Sequence, residues 1–238
     1  MTQAPASERE RRGHEDTGPL FLYLHGFASS PGSTKARAFA GWAARRRVPL
    51  EVLDLRVPSF EGLLFSAIQA RVIEAIDAAG GARARVVLIG SSLGGLTACR
   101  VAEADPRVAA VFAMAPAFQL AARWEARIGS EAWRCWKETG FLEVDDHATK
   151  QKARVHFGFV EELARIDREL GPWPDVRVPV QIVHGTRDDI VDVELSRDWA
   201  AGKRHVRLVE VDDGHELTAS VPRILEEADD FFRTFVGS

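Results

Sequence analysis

The sequence predicts an α/β protein: a mostly parallel, doubly wound sheet carrying a small insert. Three observations lead there. Six short runs rich in Val, Ile and Leu alternate with segments of helical spacing. The pentapeptide Gly90-Ser91-Ser92-Leu93-Gly94 joins the third run to the helix after it. A single stretch, residues 117–173, interrupts the alternation after the fourth run.

In chain order, residues 1–18 are polar, charged and poor in apolar side chains, which predicts a disordered tail. They contain no apolar segment of the kind a signal peptide needs. Residues 20–24 (Leu-Phe-Leu-Tyr-Leu) form a continuous apolar run, as expected of a strand buried on both faces. Ser33 or Thr34 can cap a helix running to about Arg47. Residues 50–55 give a second strand. Residues 62–79 have helical spacing, with Leu63, Leu64, Ala67, Ile68 and Val72 on one side. Residues 86–89 form the third strand and residues 93–104 the helix after it. Residues 108–114 form the fourth strand, which Pro116 ends. Beyond the insert, residues 180–183 and 206–211 are strands, and residues 193–201 and 222–236 are helices. Pro222 stands in the first turn of the last one, where its missing N–H costs nothing. This alternation demands a mostly parallel sheet with helices on both faces. The core is therefore expected from residues 19–116 and 174–238.

The insert carries Trp124, Trp133, Trp136, Phe141, Phe157, Phe159 and Trp173. Residues 142–144 and 154–157 look like arms of a hairpin, and residues 161–170 like a helix. So aromatic a stretch is a cap over a pocket or a satellite core. The cap is the favoured reading because the insert leaves the sheet directly after the fourth strand.

Bulk properties narrow the function. Of 238 residues, 46% are hydrophobic and 28% charged, which fits a folded core. The net charge of -4 and the mixing of signs argue against a nucleic-acid partner. No apolar run approaches the roughly 20 residues of a membrane span. Two cysteines, Cys99 and Cys135, are too few for a disulfide framework, so a cytoplasmic location is expected. A G-x-x-x-x-G-K-[ST] loop and a G-x-G-x-x-G after the first strand are both lacking, which disfavours nucleotide binding.

The chemistry centres on Ser92. A nucleophile at the tip of a strand, with a helix starting beneath it, must occupy a sharp and strained turn. Such a backbone costs about 1–3 kcal/mol for a residue with a side chain. Gly90 and Gly94 flank Ser92 at two residues either side and let strand and helix approach; Ser91 lacks that symmetry. The helix N-terminus supplies donors and a positive dipole end for a developing oxyanion.

Four pieces together, Leu24-His25-Gly26-Phe27-Ala28-Ser29-Ser30, the G-x-S-x-G, His184-Gly185-Thr186-Arg187-Asp188-Asp189-Ile190-Val191 and Asp213-Gly214-His215, resemble the α/β-hydrolase superfamily. More closely, the chain is similar to the small bacterial YqiA-like serine esterases, with some likeness to cinnamoyl-type esterases. The resemblance spans residues 20–236. It implies a catalytic triad of Ser92, Asp188 and His215, and an oxyanion hole from the amides of Phe27 and Leu93. The family pattern selects Asp188; on the residues alone Asp189 and Asp192 stay open. His215 follows the last strand, and an imidazole's ordinary pKa of about 6.5 suits a general base. His25 and His184, each before a Gly at a strand end, are expected to support loop geometry. His205 precedes its strand and should emerge at the opposite edge. Trp124, Trp133, Trp136 and Phe157 are the candidate substrate-binding residues.

The function expected is hydrolysis of carboxylic or thio esters of small acyl substrates through an acyl-enzyme. No metal or cofactor is implied. The partner is a small-molecule ester, with neither nucleic acid nor membrane, and a homodimer stays open. A serine peptidase on the same fold and a hydrolase-like ligand-binding protein are the alternatives.

Overall fold

The computed structural model describes residues 18–80 and 84–236. The expected tail therefore lies outside the described residues, apart from Gly18. In chain order the elements are β1 (Leu20–Leu24), α1 (Thr34–Arg46), β2 (Leu50–Leu53), α2 (Phe65–Ala78), β3 (Val86–Ser91), α3 (Leu93–Ala104) and β4 (Val108–Met114). The insert follows as α4 (Leu120–Ile128), α5 (Ser130–Thr139), β5 (Phe141–Asp146), β6 (Gln151–His156) and α6 (Gly158–Leu170). The chain ends with β7 (Val180–Gly185), α7 (Val193–Ala200), β8 (Val206–Val211), α8 (Val221–Phe231) and a short 3-10 turn at Phe232–Thr234.

Six strands form one sheet in the order β2-β1-β3-β4-β7-β8, and every neighbouring pair is parallel. Strands buried on both faces explain the continuous apolar runs: all six residues of β3 are buried. Alternate side chains of β1 feed two cores. Leu22 and Leu24 join α2, α3 and the insert, whereas Phe21 and Tyr23 face Phe39 and Trp42 of α1 and Phe232 beyond α8. The chain visits β2 and then crosses β1 to reach β3. The order of strands reverses there, and crevices beyond the carboxyl ends of strands form at such points.

Helix boundaries follow local chemistry. The Ser33 hydroxyl accepts from the Ala36 amide at 3.3 Å and caps α1 as expected. Helix α1 ends where Arg47 turns left-handed at φ 56°. Helix α2 begins three residues later than its spacing suggests, and α8 gives way to the 3-10 turn rather than running to 236.

The insert holds the expected hairpin, with Leu142 opposite Val155 in an antiparallel pair, and the expected last helix. It also holds α4 and α5, which spacing left unassigned. Specific contacts moor it to the loops after β1 and β2. The Arg56 guanidinium donates twice to the Asp146 carboxylate, at 3.3 and 2.7 Å, and that carboxylate is buried. The His147 amide donates to Ala28 O at 2.9 Å, and the His156 amide to Glu61 O at 2.9 Å. Glu162 on α6 accepts from the amide and hydroxyl of Ser66 at the start of α2. Trp124, Trp136 and Phe159 share one apolar cluster with β1, β3 and α3.

Candidate active site

Parallel strands put their carboxyl ends on one edge, so the loops after β1, β3, β7 and β8 meet there. Ser92 sits between β3 and α3 at φ 54° and ψ -114°, strained values for a residue with a Cβ. The surroundings enforce them: its N–H donates to Met114 O at 2.9 Å, and its carbonyl accepts from Leu96 and Ala117. The two glycines are sterically required. A Cβ on Gly90 would lie 2.2 Å from Gly94 O, and one on Gly94 would lie 2.1 Å from Leu24 O. Ser91 is buried at the end of β3, while Ser92 is partly exposed.

The His215 Nε2 lies 3.0 Å from Ser92 Oγ, and its Nδ1 lies 2.8 Å from Asp188 Oδ2. Three residues separated by 123 and 27 positions are thus hydrogen-bonded in series. The loop bearing His215 is fixed from several sides. Asp213 accepts from the amides of Gly214 and Ser220, and the Lys35 ammonium donates to Glu216 O at 2.6 Å. A Cβ on Gly185 would meet Asp213 O at 2.4 Å, so β7 and this loop touch backbone to backbone.

Of the three acids left open by the sequence, Asp188 alone reaches His215. Asp192 caps α7 by accepting from the Glu194 amide, and Asp189 is exposed. The Asp188 side chain is fully buried. Burial by itself would raise its pKa. Hydrogen bonds from His184, His215 and the Val191 amide outweigh that and hold the carboxyl well below the usual carboxylate range. Burial lowers the pKa of Lys35, with Glu216, Asp188 and Asp213 opposing.

The loop after β1 lies against Ser92. A Cβ on Gly26 would stand 3.4 Å from the Ser92 Cβ, and Phe27 is the next residue. Leu93 opens α3, so its N–H belongs to the first turn, whose donors have no intrahelical acceptor. His25 secures this loop. Its Nδ1 donates to Gly26 O at 2.9 Å and its Nε2 accepts from the Leu55 amide at 3.0 Å, while burial lowers its pKa and keeps it neutral. His205 lies at the other edge, with its ring on Val176 O.

The aromatic candidates separate. Trp124 packs edge-on against Phe27 at 5.3 Å and is 7% exposed; Trp133 is half-buried against Phe157. Trp136 departs from the expectation of substrate contact. It has no exposed surface, and its Nε1 donates to Val155 O at 3.0 Å, so it is a core residue joining α5 to β6. Sequence reading gave no sign of Ser196 on α7, which touches His184, or of Lys35; neither has a motif to mark it. A cavity of about 330 Å³ between α1 and α8, lined by Trp42, Arg45, Arg46, Leu225 and Asp229, contains none of these residues.

The model of the uncharacterised protein family UPF0227 matches residues 20–233. No curated protein matches the chain. Among solved structures, alpha/beta hydrolase domain-containing protein 10 from mouse superposes with a TM-score of 0.71 at 20% identity, over 91% of this chain and 90% of that one. Est1E from Butyrivibrio proteoclasticus, with ferulic acid bound, gives 0.75 at 19% identity over 95% and 93%. The esterase domain of a Rhodothermus marinus protein gives 0.64 at 20% over 94% and 90%. At such identities the likeness establishes the α/β-hydrolase fold.

Proposed function

The chain belongs to the UPF0227 family, and from that premise we propose that it is a serine hydrolase cleaving carboxylic or thio esters of small acyl substrates. The observation that carries the reading is the Ser92–His215–Asp188 series of hydrogen bonds, with the serine held at a positive φ on a strand-to-helix turn.

In this reading His215 Nε2 takes the Ser92 proton as Oγ attacks the ester carbonyl. The amides of Phe27 and Leu93 hold the oxyanion of the tetrahedral intermediate; one such donor is worth about 10²–10³ in rate. The imidazolium then protonates the leaving alcohol or thiol, which departs and leaves an acyl group on Ser92. Water enters, His215 removes its proton, and collapse of the second intermediate releases the acid and restores the serine. Asp188 stays ionised throughout and keeps Nδ1 protonated. Its pKa, held below the ordinary range, supports that role. Trp124 beside Phe27 is the best-placed aromatic for the acyl group, and the insert acts as the cap.

The test is hydrolysis of 4-nitrophenyl esters from acetate upward, with a feruloyl ester added because Est1E binds ferulic acid. Wild type should turn over and Ser92→Ala should lose at least about 10³ in rate while keeping its melting temperature. Turnover surviving in Ser92→Ala would remove the nucleophile assignment. Inactivity on every ester would favour a peptidase or a ligand-binding protein.

A further inference from the structure

Behind the triad lies a second, wholly buried set of polar groups. His184 is the penultimate residue of β7 and Ser196 lies on α7, and neither exposes any surface. The His184 Nε2 hydrogen-bonds to Val191 O at 2.9 Å and stands 3.2 Å from a second acceptor, Asp188 Oδ2, as a close ion-pair contact. A nitrogen facing two acceptors must carry a proton. Its Nδ1 lies 2.7 Å from Ser196 Oγ, whose hydroxyl donates to it when the ring is neutral. Asp188 Oδ2 is therefore held between two imidazoles, His184 behind and His215 in front. Its other oxygen accepts from the amides of Ile190 and Val191 at 2.9 and 2.8 Å. Val191 thus donates to the acid through its N–H and accepts from His184 through its carbonyl, closing a ring around the turn.

We infer that His184, oriented by Ser196, is a positioning residue that aims Asp188 Oδ2 at His215 and sets how strongly that carboxylate pulls on the imidazole. The inference rests on the serine-hydrolase reading for its catalytic meaning, though its geometry stands apart from it. The physical argument is competition for one oxygen. Each donor on a carboxylate stabilises its charge and makes it a weaker acceptor for the next. Removing the His184 donor leaves Asp188 more basic. The more basic carboxylate stabilises the protonated form of His215, so His215 holds its proton to higher pH. With the contact to His215 kept, the carboxylate is also free to rock about that one hydrogen bond, which loosens the alignment of Nε2 on Ser92. Removing Ser196 weakens the His184 donor by one step and acts in the same direction. Other charges within reach of this network are Lys35 on α1, Arg127 on α4, Glu210 on β8 and Asp213 in the β8–α8 loop. Asp189 also faces Arg127 from the β7–α7 loop. None of these changes in the variants below, so they cancel in the comparison.

The experiment is an NMR titration of the His215 ring in the full-length, ligand-free protein, beside the acid limb of the pH–rate profile. His184→Met removes both ring nitrogens at similar volume; His184→Gln keeps an amide donor near the Nε2 position. His184→Met should move the His215 midpoint up by roughly 0.5 pH unit and lower kcat about tenfold, with KM little changed. His184→Gln should return both toward wild type, and Ser196→Ala should move the midpoint up by less. An unmoved midpoint in folded His184→Met would overturn the inference and leave His184 a packing residue. Should His184→Met fail to fold, Ser196→Ala decides, and an unmoved midpoint there overturns it equally. The titration needs no substrate. A protein inactive on all esters that still shows the shift would lose the esterase reading and keep the positioning one.

Discussion

Gly94→Ala puts the steric account of the turn at Ser92 at risk. A Cβ at this position would stand 2.1 Å from Leu24 O, 2.5 Å from Leu24 C and 2.7 Å from His25 O. All three are backbone atoms of β1 and the residue after it, so no rotamer change relieves the overlap. Helix α3 and β1 must separate by about 1 Å before the contact becomes tolerable. Overpacking of this kind costs about 1–3 kcal/mol, and the absence of any flexible neighbour argues for the upper end. For a chain of this size, 3 kcal/mol lowers the melting temperature by roughly 6–12 °C. The catalytic effect should be larger than the loss of fold implies. Ser92 immediately precedes α3, and Gly26 and Phe27 follow β1, so the separation pulls the proposed nucleophile away from the Phe27 amide proposed to hold the oxyanion. Misplacement by about 1 Å costs on the order of 10² in rate. The assay is differential scanning calorimetry together with ester hydrolysis at a temperature where both proteins are folded. Gly41→Ala is the control. Its Cβ would meet only Arg45 Nη1 at 3.5 Å inside α1, and the change should stabilise by about 0.5–1 kcal/mol. Wild-type melting temperature and rate in Gly94→Ala would refute the reasoning.

Two more predictions concern buried carboxylates. The pKa of Asp188 is lower in the folded protein than in the unfolded chain, so its stabilisation is complete above about pH 4 and fades as pH falls toward the folded value. Urea titrations should then find Asp188→Asn less stable than wild type at pH 7, with the gap narrowing below about pH 4; a constant gap down to acid unfolding contradicts this. Arg56→Met leaves the Asp146 carboxylate buried without its cation and should cost about 3 kcal/mol in urea unfolding, part of it recovered by adding Asp146→Asn. A loss under about 0.5 kcal/mol would mean that the ion pair does not moor the insert.

The sheet was legible because two independent signals agree along the chain. Continuous apolar runs mark strands buried on both faces, and the helical stretches between them force parallel crossovers. Nothing comparable marks the insert. Its α4 carries Leu120, Ala121, Trp124 and Ile128 at helical spacing, yet Arg123, Glu125 and Arg127 surround them, and only Ala121 and Trp124 are buried. Helix α5 buries Trp136 alone. Both are stabilised by docking on a shared aromatic cluster rather than by local pattern, so a window of sequence underestimates them. The same docking explains why sequence alone does not place Trp136 in the core. An aromatic residue in an insert can face a ligand or the core, and its type and spacing are identical in the two cases.

The site divides along the same line. Ser92 could be read from its neighbours because the constraint on it is local: Gly90 and Gly94 are what the turn requires at those offsets. His215 and Asp188 lie far away, and topology together with resemblance, rather than pattern, brought them to the edge. Asp188 against Asp189 was undecidable from chemistry, since both are carboxylates one residue apart. The structure separates them by burial and by the donors each receives: the amides of Ile190 and Val191 meet Asp188, which leaves Asp189 facing outward. Ser196 carries no motif at all, because a hydroxyl that orients a buried imidazole needs only the right place on α7. Spacing therefore specifies residues whose role is set within one turn. Residues whose role is set by a partner on another element have to be found through their contacts.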